Sequence, residues 1–436
     1  MSSNSWATIM ATLRFSSLRL GPVRLTYFGM IRSIYNYVYK FHHTHCGNYL
    51  IPSVYLSTCM NSWERVVKAM EISTPDRVPL YEMHIPPVIA SRILRKPTSS
   101  ILVHNPEAVF TLMMENGLSL DKINEYMAEE LLTLHRVTGL DWIRVVSAYT
   151  RRPEILKKID EHVWVVDGRR CKWSGFSLWD IDEPISYNPD VIIEFCRSST
   201  VEVDSKIFEV LRHLVRKVKG EFFLSFDADG SWGPIVSNPN LLKHVLIWMY
   251  KRPDAVKALI EFNVKYALDV GKWAIDEGAD AIQMCVDYGN KLGPWFSPKM
   301  FREFIKPALK RQCDTFKRKG AFTVLHSDGN ITSILPDIVD AGIDAYQGID
   351  VTAGMSLKQV KEEYGDKICL VGNVDPRILE FGKPEDVMME VERCLREGGF
   401  SGYILSASAN ISVNTNADNF LLMIDYAKKR GVYAQR

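Results

Sequence analysis

Histidine and carboxylate side chains stand two residues apart at two places in the chain, a spacing that suits metal binding or proton transfer. His326 and Asp328 end a predicted strand, and side chains at this spacing share one face of a strand. An imidazole and a carboxylate on one face can ligate zinc or exchange protons. Gly329 then permits a tight turn or the close approach of a ligand. The alternative is that Asp328 only orients the imidazole and caps the next helix.

Glu82 and His84 repeat this spacing on an earlier predicted strand. If both pairs lie at the same end of the sheet, Glu82 completes a metal site with His326 and Asp328. The metal ligands predicted from the sequence are therefore these three residues.

Other predicted strands also end in polar residues. Asp287 and Tyr288 follow a buried apolar run, and a carboxylate beside a phenol fits substrate polarisation or proton delivery. The order Asp287-Tyr288-Gly289-Asn290 is also typical of a turn, which is the structural alternative. We predict His326, Asp328, Asp287 and Tyr288 as catalytic residues. The predicted substrate-binding residues are Glu82, His84, Asp227, Gln347 and Asn373.

These residues need a scaffold that gathers distant strand ends. Near-continuous apolar strands joined by helical patterns predict a parallel sheet covered on both faces. Eight such runs favour an α/β fold of the (β/α)₈ TIM-barrel type, whose chemistry lies at the carboxyl ends of the strands. An open doubly wound sheet is the alternative, but its G-x-G-x-x-G turn does not follow the first run. The runs are 77–83, 141–146, 222–227, 281–287, 322–328, 345–347, 368–373 and 403–408.

Two stretches between these runs have their own patterns. Residues 147–188 follow the second strand and predict a small β-rich insertion, such as a hairpin or a lid. Residues from about 189 to 218 predict a long helical stretch before the third strand.

The composition excludes several classes of protein. The chain has 436 residues with 53 Lys and Arg against 52 Asp and Glu, a net charge of +1 that argues against a nucleic-acid binder. No apolar run approaches the roughly 20 residues that span a bilayer. The eight cysteines are scattered without a C-x-x-C pair, which predicts reduced thiols in a cytoplasmic protein.

The amino-terminal segment differs from the rest of the chain. Residues 1–63 contain no acidic residue, and a Ser- and Arg-bearing leader of this kind is typical of a transit peptide. A start assigned too early, with Met60 as the true start, is the interpretation we favour. We expect residues 1–59 to be poorly ordered and residues 60–436 to form the barrel. The run 42–46 contains metal-binding residue types, but we do not include it in the predicted site.

Several stretches from about residue 60 to the end resemble the uroporphyrinogen decarboxylase superfamily. The resemblance implies a (β/α)₈ barrel with one of two activities, decarboxylation of a porphyrinogen without a cofactor or methyl transfer involving a corrinoid protein, often with zinc. The matching stretches are 61–65, 75–79, 297–301 through Pro307, 326–329, 371–375 and the C-terminal run to Asn419.

The details of the resemblance favour methyl transfer. The decarboxylases carry Arg-Gln-Ala-Gly-Arg after the first strand, where this chain has Glu82-Met83-His84-Ile85-Pro86, and they carry a His that aligns with Ala409. A porphyrinogen with eight carboxylates needs cationic partners, which these changes remove. The zinc-dependent methyltransferases resemble this chain at His326 but place Cys at Asp328 and Ala409. A carboxylate is a harder ligand than a thiolate, so the metal preference should differ.

The resemblance therefore implies a methyltransferase that moves a methyl group between a small methylated compound and a corrinoid protein, with zinc as the candidate metal. A uroporphyrinogen decarboxylase of porphyrin biosynthesis and a non-catalytic ligand-binding barrel are the alternatives. We expect a cytoplasmic protein with no nucleic-acid or membrane partner, and related barrels often pair as homodimers.

Overall fold

The computed structural model describes residues 60–115, 117–175, 177–182 and 187–433. The expected leader over residues 1–59, with its His-rich run, lies outside the described residues and stays a prediction. Within the described part of the chain, no helix is both long and apolar enough to cross a membrane.

A curled sheet of seven parallel strands forms the centre of the fold. Neighbouring strands of this sheet follow one another in chain order. They are β1 (Trp142–Val145), β6 (Phe223–Asp227), β7 (Ala281–Cys285), β10 (Phe322–His326), β11 (Ala345–Gln347), β12 (Cys369–Val371) and β13 (Tyr403–Ile404). Each strand falls within a predicted apolar run. The intervening β2 to β5 form a second sheet described below, and β8 (Gly289–Asn290) pairs with β9 (Gly293–Pro294).

A short segment lies between the two edge strands of this sheet. Leu80 forms a parallel bridge with Leu405, just beyond β13, and Tyr81 forms one with Trp142 of β1. The Tyr81 amide donates to the Leu405 carbonyl at 3.0 Å, and the Asp141 amide donates to the Leu80 carbonyl at 2.8 Å. The first predicted strand therefore takes the eighth position that a closed (β/α)₈ barrel requires.

Helices follow the strands and cover the outside of the sheet. They are α1 (Ser62–Met70), α2 (Pro87–Leu94), α3 (Pro106–Glu115), α4 (Leu120–Thr138), α5 (Pro189–Ser198), α6 (Glu209–Val218), α7 (Gly233–Val236), α8 (Pro239–Lys251), α9 (Pro253–Asp276), α10 (Pro298–Met300), α11 (Lys306–Arg318), α12 (Leu335–Asp340), α13 (Leu357–Tyr364), α14 (Pro376–Phe381), α15 (Pro384–Gly398) and α16 (Ala417–Arg430). A π-helical turn at Phe301–Ile305 joins α10 to α11.

The helical stretch predicted over residues 189–218 is interrupted. The α5 helix ends at Ser198, and after an extended stretch a 3₁₀ turn at Ser205–Phe208 leads into α6. The Asp204 side chain accepts the Lys206 amide at 3.0 Å, a local bond that starts a new helical turn rather than continuing the old one.

An antiparallel sheet of four strands lies between β1 and α5. Its order is β2 (Leu156–Asp160), β3 (Val163–Val166), β4 (Arg169–Trp173) and β5 (Leu178–Asp180). Trp164 donates its indole N–H to Glu107 at 3.1 Å, and Lys158 pairs with the same carboxylate at 3.0 Å. These contacts fasten the small sheet to α3.

Side chains fill the interior of the barrel near the amino-terminal ends of the strands. The rings of Tyr81 and Trp142 stack with centroids 3.9 Å apart, and Phe223 meets Trp142 edge-on. Val66 and Met70 of α1 belong to the same buried cluster as these rings.

Candidate functional site

Asp287, His326 and Asp328 come together at the carboxyl ends of β7 and β10. The Nε2 atom of His326 lies 3.4 Å from Oδ1 of Asp287 and 3.7 Å from Oδ1 of Asp328. One ligand atom from each residue lies within 4.8 Å of the other two. We call these three residues the triad. Within the described part of the chain, it is the one such group of three histidine, cysteine or acidic residues.

A neighbouring amide fixes the orientation of the imidazole. His326 and Gln347 are paired across adjacent strands, and the Nδ1 atom of His326 lies in hydrogen-bond contact with Oε1 of Gln347. Because a carbonyl oxygen can only accept, Nδ1 carries the proton and donates it. The Nε2 atom is therefore left to face the two carboxylates, which is the arrangement that orients metal-ligating histidines in proteins.

The two carboxylates are held by backbone geometry. Asp287 has a positive φ of 41°, unusual for a residue other than glycine. In this conformation its Oδ1 accepts the Asp328 amide at 2.9 Å. Gly329 has φ +80°, and a Cβ there would lie 2.5 Å from the Asn290 backbone nitrogen. The glycine therefore lets the loop after β10 lie close to the loop after β7.

Burial and charge compete in the triad. Burial alone would lower the pKa of His326, but Asp328, Asp287 and Gln347 outweigh it and raise the pKa to about 9. Burial raises the pKa of Asp328 to about 6, with a contribution from the neighbouring Asp287 charge. Burial would also raise the pKa of Asp287, but its contact with His326 holds it below the usual value. Without a metal, His326 is thus an imidazolium beside carboxylates at neutral pH.

The triad is open to solvent on one side. The His326 side chain is only 4% exposed, whereas the Asp287 side chain is 43% and the Asp328 side chain 30% exposed. The imidazole is therefore buried beneath two carboxylates that contact solvent, so a small ion or molecule can reach the triad.

An ion pair occupies the adjacent inner wall. Arg144 of β1 pairs with Asp227 at the end of β6, and its Nη2 lies 3.6 Å from the Cys285 sulfur. Cys285 is in turn paired with His326 across β7 and β10. Sequence reasoning assigned no role to Arg144. The signal that could have identified it is an arginine two residues after Trp142, on the same face of an otherwise apolar buried strand.

Glu82 and His84 are not part of the triad. Glu82 is buried, and its Oε2 accepts the Ala407 amide at 3.4 Å beyond the end of β13. Burial raises its pKa to about 8. His84 packs against His104 with ring centroids 4.2 Å apart, and burial followed by the Arg144 charge lowers its pKa to about 3. In the order of the strands, both lie across the barrel from β10.

Two other predicted residues have structural contacts. Tyr288 is fully buried among Phe296 and Phe301, and its hydroxyl shares a hydrogen bond of 2.8 Å with Ser231. Asn373 is fully buried and donates to the Ile349 carbonyl at 3.1 Å. These contacts place both side chains in the core, away from the open side of the triad.

The triad fits a divalent metal that accepts nitrogen and oxygen ligands. It offers one imidazole and two carboxylates, and Oδ1 of Asp328 is a buried atom with no hydrogen-bond partner among the described residues. No cysteine belongs to the group, so the soft ligands typical of thiol-activating zinc sites are replaced by hard ones.

Comparison with known proteins agrees with this fold. A solved methyltransferase from Methanosarcina mazei superposes with a TM-score of 0.62 at 19% identity, covering 85% of this chain and 99% of the other. The decarboxylase of Chlorobium phaeobacteroides is 26% identical over 189 residues, which are 42% of this chain and 52% of that protein. The Chlorobium luteolum enzyme is 28% identical over 189 residues, with shares of 42% and 51%. The chain thus spans about half the length of these curated relatives.

The sequence model of the family described as uroporphyrinogen decarboxylase (URO-D) matches residues 205–430, about half of the chain. This region contains all three residues of the triad and confirms the resemblance drawn from the sequence. The chain belongs to the uroporphyrinogen decarboxylase family.

Proposed function

We propose that this protein is a methyltransferase that moves a methyl group between a small methylated compound and a corrinoid held by a partner protein. The observation that carries the proposal is the solvent-open triad of one imidazole and two carboxylates at the mouth of the barrel. The structural likeness to a methyltransferase of Methanosarcina mazei supports the fold on which this proposal rests.

In this proposal His326, Asp287 and Asp328 hold a divalent metal. The metal, when bound, supplies Lewis acidity to the atom that loses or gains the methyl group. Gln347 holds the imidazole in the tautomer that leaves Nε2 available. Since the donors are hard, an oxygen or nitrogen atom of the substrate suits the site better than a thiol. The Arg144–Asp227 ion pair, on β1 and β6 inside the barrel, orients the polar end of the substrate.

Porphyrinogen decarboxylation is the second candidate, because the curated relatives named above are decarboxylases. Charge at the mouth argues against it. The Arg144 guanidinium is already paired with Asp227, and the carboxylates of Asp287 and Asp328 would repel an anionic substrate. The same carboxylates favour a divalent cation.

A single assay separates the candidates. Purified protein supplied with zinc or manganese is mixed with free cob(I)alamin and, in turn, a methoxyaromatic compound, a methylamine and a methyl thioether. We expect methylcobalamin to form from the oxygen- or nitrogen-bound methyl group, as seen in the visible spectrum, and His326→Ala to abolish it. His162→Ala changes a half-exposed imidazole on the small antiparallel sheet and serves as the matched control. Decarboxylation of uroporphyrinogen III without methylcobalamin formation would instead establish the second candidate.

The proposed cytoplasmic location is supported by the cysteines. All six within the described residues are unpaired thiols. Free thiols of this kind are typical of a reducing compartment. A homodimer and a small corrinoid protein remain the proposed partners. If both Asp287→Asn and His326→Ala left every activity unchanged, the non-catalytic barrel would be the correct interpretation.

A further inference from the structure

A cleft of about 150 Å³ lies beside β6, and none of the triad residues lines it. It runs between the end of β6, the middle of α9 and the chain that follows α5. Its walls are partly apolar, with Val201, Phe262 and Val270 among the lining residues. A concave, partly apolar surface with a few polar groups is the usual form of a small-molecule site.

One polar side chain in this cleft has an unused hydrogen-bond donor. Asn263 is only 6% exposed, and its Nδ2 donates to no acceptor among the described residues. A buried amide without a partner is destabilising, and asparagine is also a poor residue for the interior of a helix such as α9. The unpartnered amide and the low helix propensity both destabilise the fold at this one position, which lines the cleft. A ligand that supplies a hydrogen-bond acceptor would explain why asparagine is present there.

The loop after β6 lies directly on this part of α9. Gly230 approaches the helix so closely that a Cβ there would lie 2.4 Å from Cα of Val264. The Gly230 amide also donates to Gln312 of α11 at 2.9 Å. Backbone packing therefore fixes the wall of the cleft beside Asn263, so the cleft is preformed.

The charges around the cleft select among ligands that carry an acceptor. Glu202, Asp227 and Asp229 line it, and none of the described lining residues is a lysine or arginine. Arg144 offsets Asp227, and Asp229 is engaged by Ser231 and the amides of Trp232 and Gly233. The remaining negative charge disfavours carboxylates and phosphates, so an acceptor on a group without negative charge suits the cleft.

We propose that this cleft binds a small uncharged molecule with a carbonyl or amide oxygen on an apolar body, and that Asn263 donates to that oxygen. The proposal goes beyond the methyltransferase function and does not depend on it. The loop that forms one wall also carries Ser231, which holds Tyr288 next to Asp287. One hydrogen bond thus joins the loop beside the cleft to the residue that follows Asp287.

Benzamide and benzoate test the proposal, since they share a shape and differ in charge. Binding to the full chain is measured by isothermal titration calorimetry and by saturation-transfer NMR. We expect benzamide to bind, and benzoate to bind at least fivefold more weakly. Equal binding of the two probes, or no binding of benzamide up to its solubility limit, would overturn the proposal.

Variants on two sides of the cleft identify the site. Asn263→Leu should weaken benzamide binding about tenfold, the usual effect of losing one buried hydrogen bond. Ala267→Leu, which fills the cleft from α9, should weaken it as well. Asn240→Leu, on the exposed face of α8, is the control and should bind benzamide like the wild type.

Thermal unfolding separates a binding role from a structural one. Replacing an unpartnered amide by an apolar side chain of similar size should leave the midpoint of Asn263→Leu unchanged or raised. A lowered midpoint together with unchanged benzamide binding would show that Asn263 serves the fold alone. Binding of benzamide to His326→Ala should equal that of the wild type, because the two sites are distinct.

Discussion

At the scale of single residues, the chemistry of His326 depends on its neighbours rather than on its own type. Gln347 occupies one ring nitrogen and leaves the other to the two carboxylates. The imidazole is therefore already oriented for a metal, which would bind with release of the Nε2 proton. The spacing of His326 and Asp328 was visible in the sequence. The pairing with Gln347 was not, because it depends on the register between β10 and β11.

Gln347→Leu tests the role of this amide. Loss of the acceptor should free the imidazole ring and lower the affinity for zinc or manganese by roughly 10- to 100-fold, the usual effect of removing such a partner. Equilibrium dialysis measures the change. Gln359→Leu, on the exposed face of α13, is the matched control. Unchanged affinity in Gln347→Leu would show that the amide does not position His326.

Glu82 makes the stability of the protein depend on pH. Its folded pKa of about 8 lies above the ordinary value of 4.5, so the folded state keeps a proton that the unfolded state releases. The contribution of this proton to the free energy of unfolding is fully present below pH 4.5. It is lost as the pH rises towards and through 8. The total change is of the order of 5 kcal/mol.

Urea unfolding of Glu82→Gln across this range is the measurement. The neutral side chain cannot ionise, so the loss of stability between pH 4.5 and 8 should be smaller than in the wild type by roughly that amount. Parallel stability curves for the two proteins would contradict a raised pKa at Glu82.

At the scale of elements, the amino-terminal end of the barrel is organised by one buried carboxylate. Asp141 is fully buried just before β1 and accepts hydrogen bonds from Ser62, Arg65, Arg77 and the Leu80 amide. It thus joins α1 to the segment at Leu80 and Tyr81 that bridges β13 and β1, which we call the closing segment. Residues 61–65 and 75–79 carried the family resemblance, and this contact gives them a physical role.

Asp141→Ala should therefore destabilise the fold strongly. Two arginines would be left without their buried partner, a change that costs about 3–5 kcal/mol. Glu221→Ala removes an exposed ion pair with Arg136 and should cost less than about 1 kcal/mol. Urea unfolding compares the two, and similar costs would show that Asp141 is not the organising group.

The loop after β10 allows a sharper test of how elements position the triad. Gly329 and Gly320 both have positive φ, but a Cβ at Gly320 would meet nothing within 4 Å. Gly320→Ala should thus cost only the backbone strain, roughly 1 kcal/mol. Gly329→Ala must also displace the loop at Asn290, so it should cost more and weaken metal binding. Wild-type metal affinity in Gly329→Ala would contradict this account of the loop.

At the scale of the whole molecule, the sequence predicted the scaffold better than the site. Continuous apolar runs such as 222–227 identify strands because both faces of a parallel sheet are buried. The expectation that Glu82 would join His326 failed for a topological reason. The closing segment and β10 lie on opposite sides of the barrel. The two-residue spacing within each pair cannot reveal this arrangement. The burial of Tyr288 likewise depends on the packing of Phe296 and Phe301 against its ring, which the sequence around Asp287 does not reveal.

The most direct test of the central claim is the binding of cobalt(II) to the triad, measured by equilibrium dialysis and visible spectroscopy. We predict one ion per chain, a spectrum without a thiolate charge-transfer band, and loss of binding in both His326→Ala and Asp287→Asn while His162→Ala binds normally. Binding of cobalt by His326→Ala and Asp287→Asn as tightly as by the wild type, or a thiolate band that disappears in Cys285→Ser, would contradict the claim.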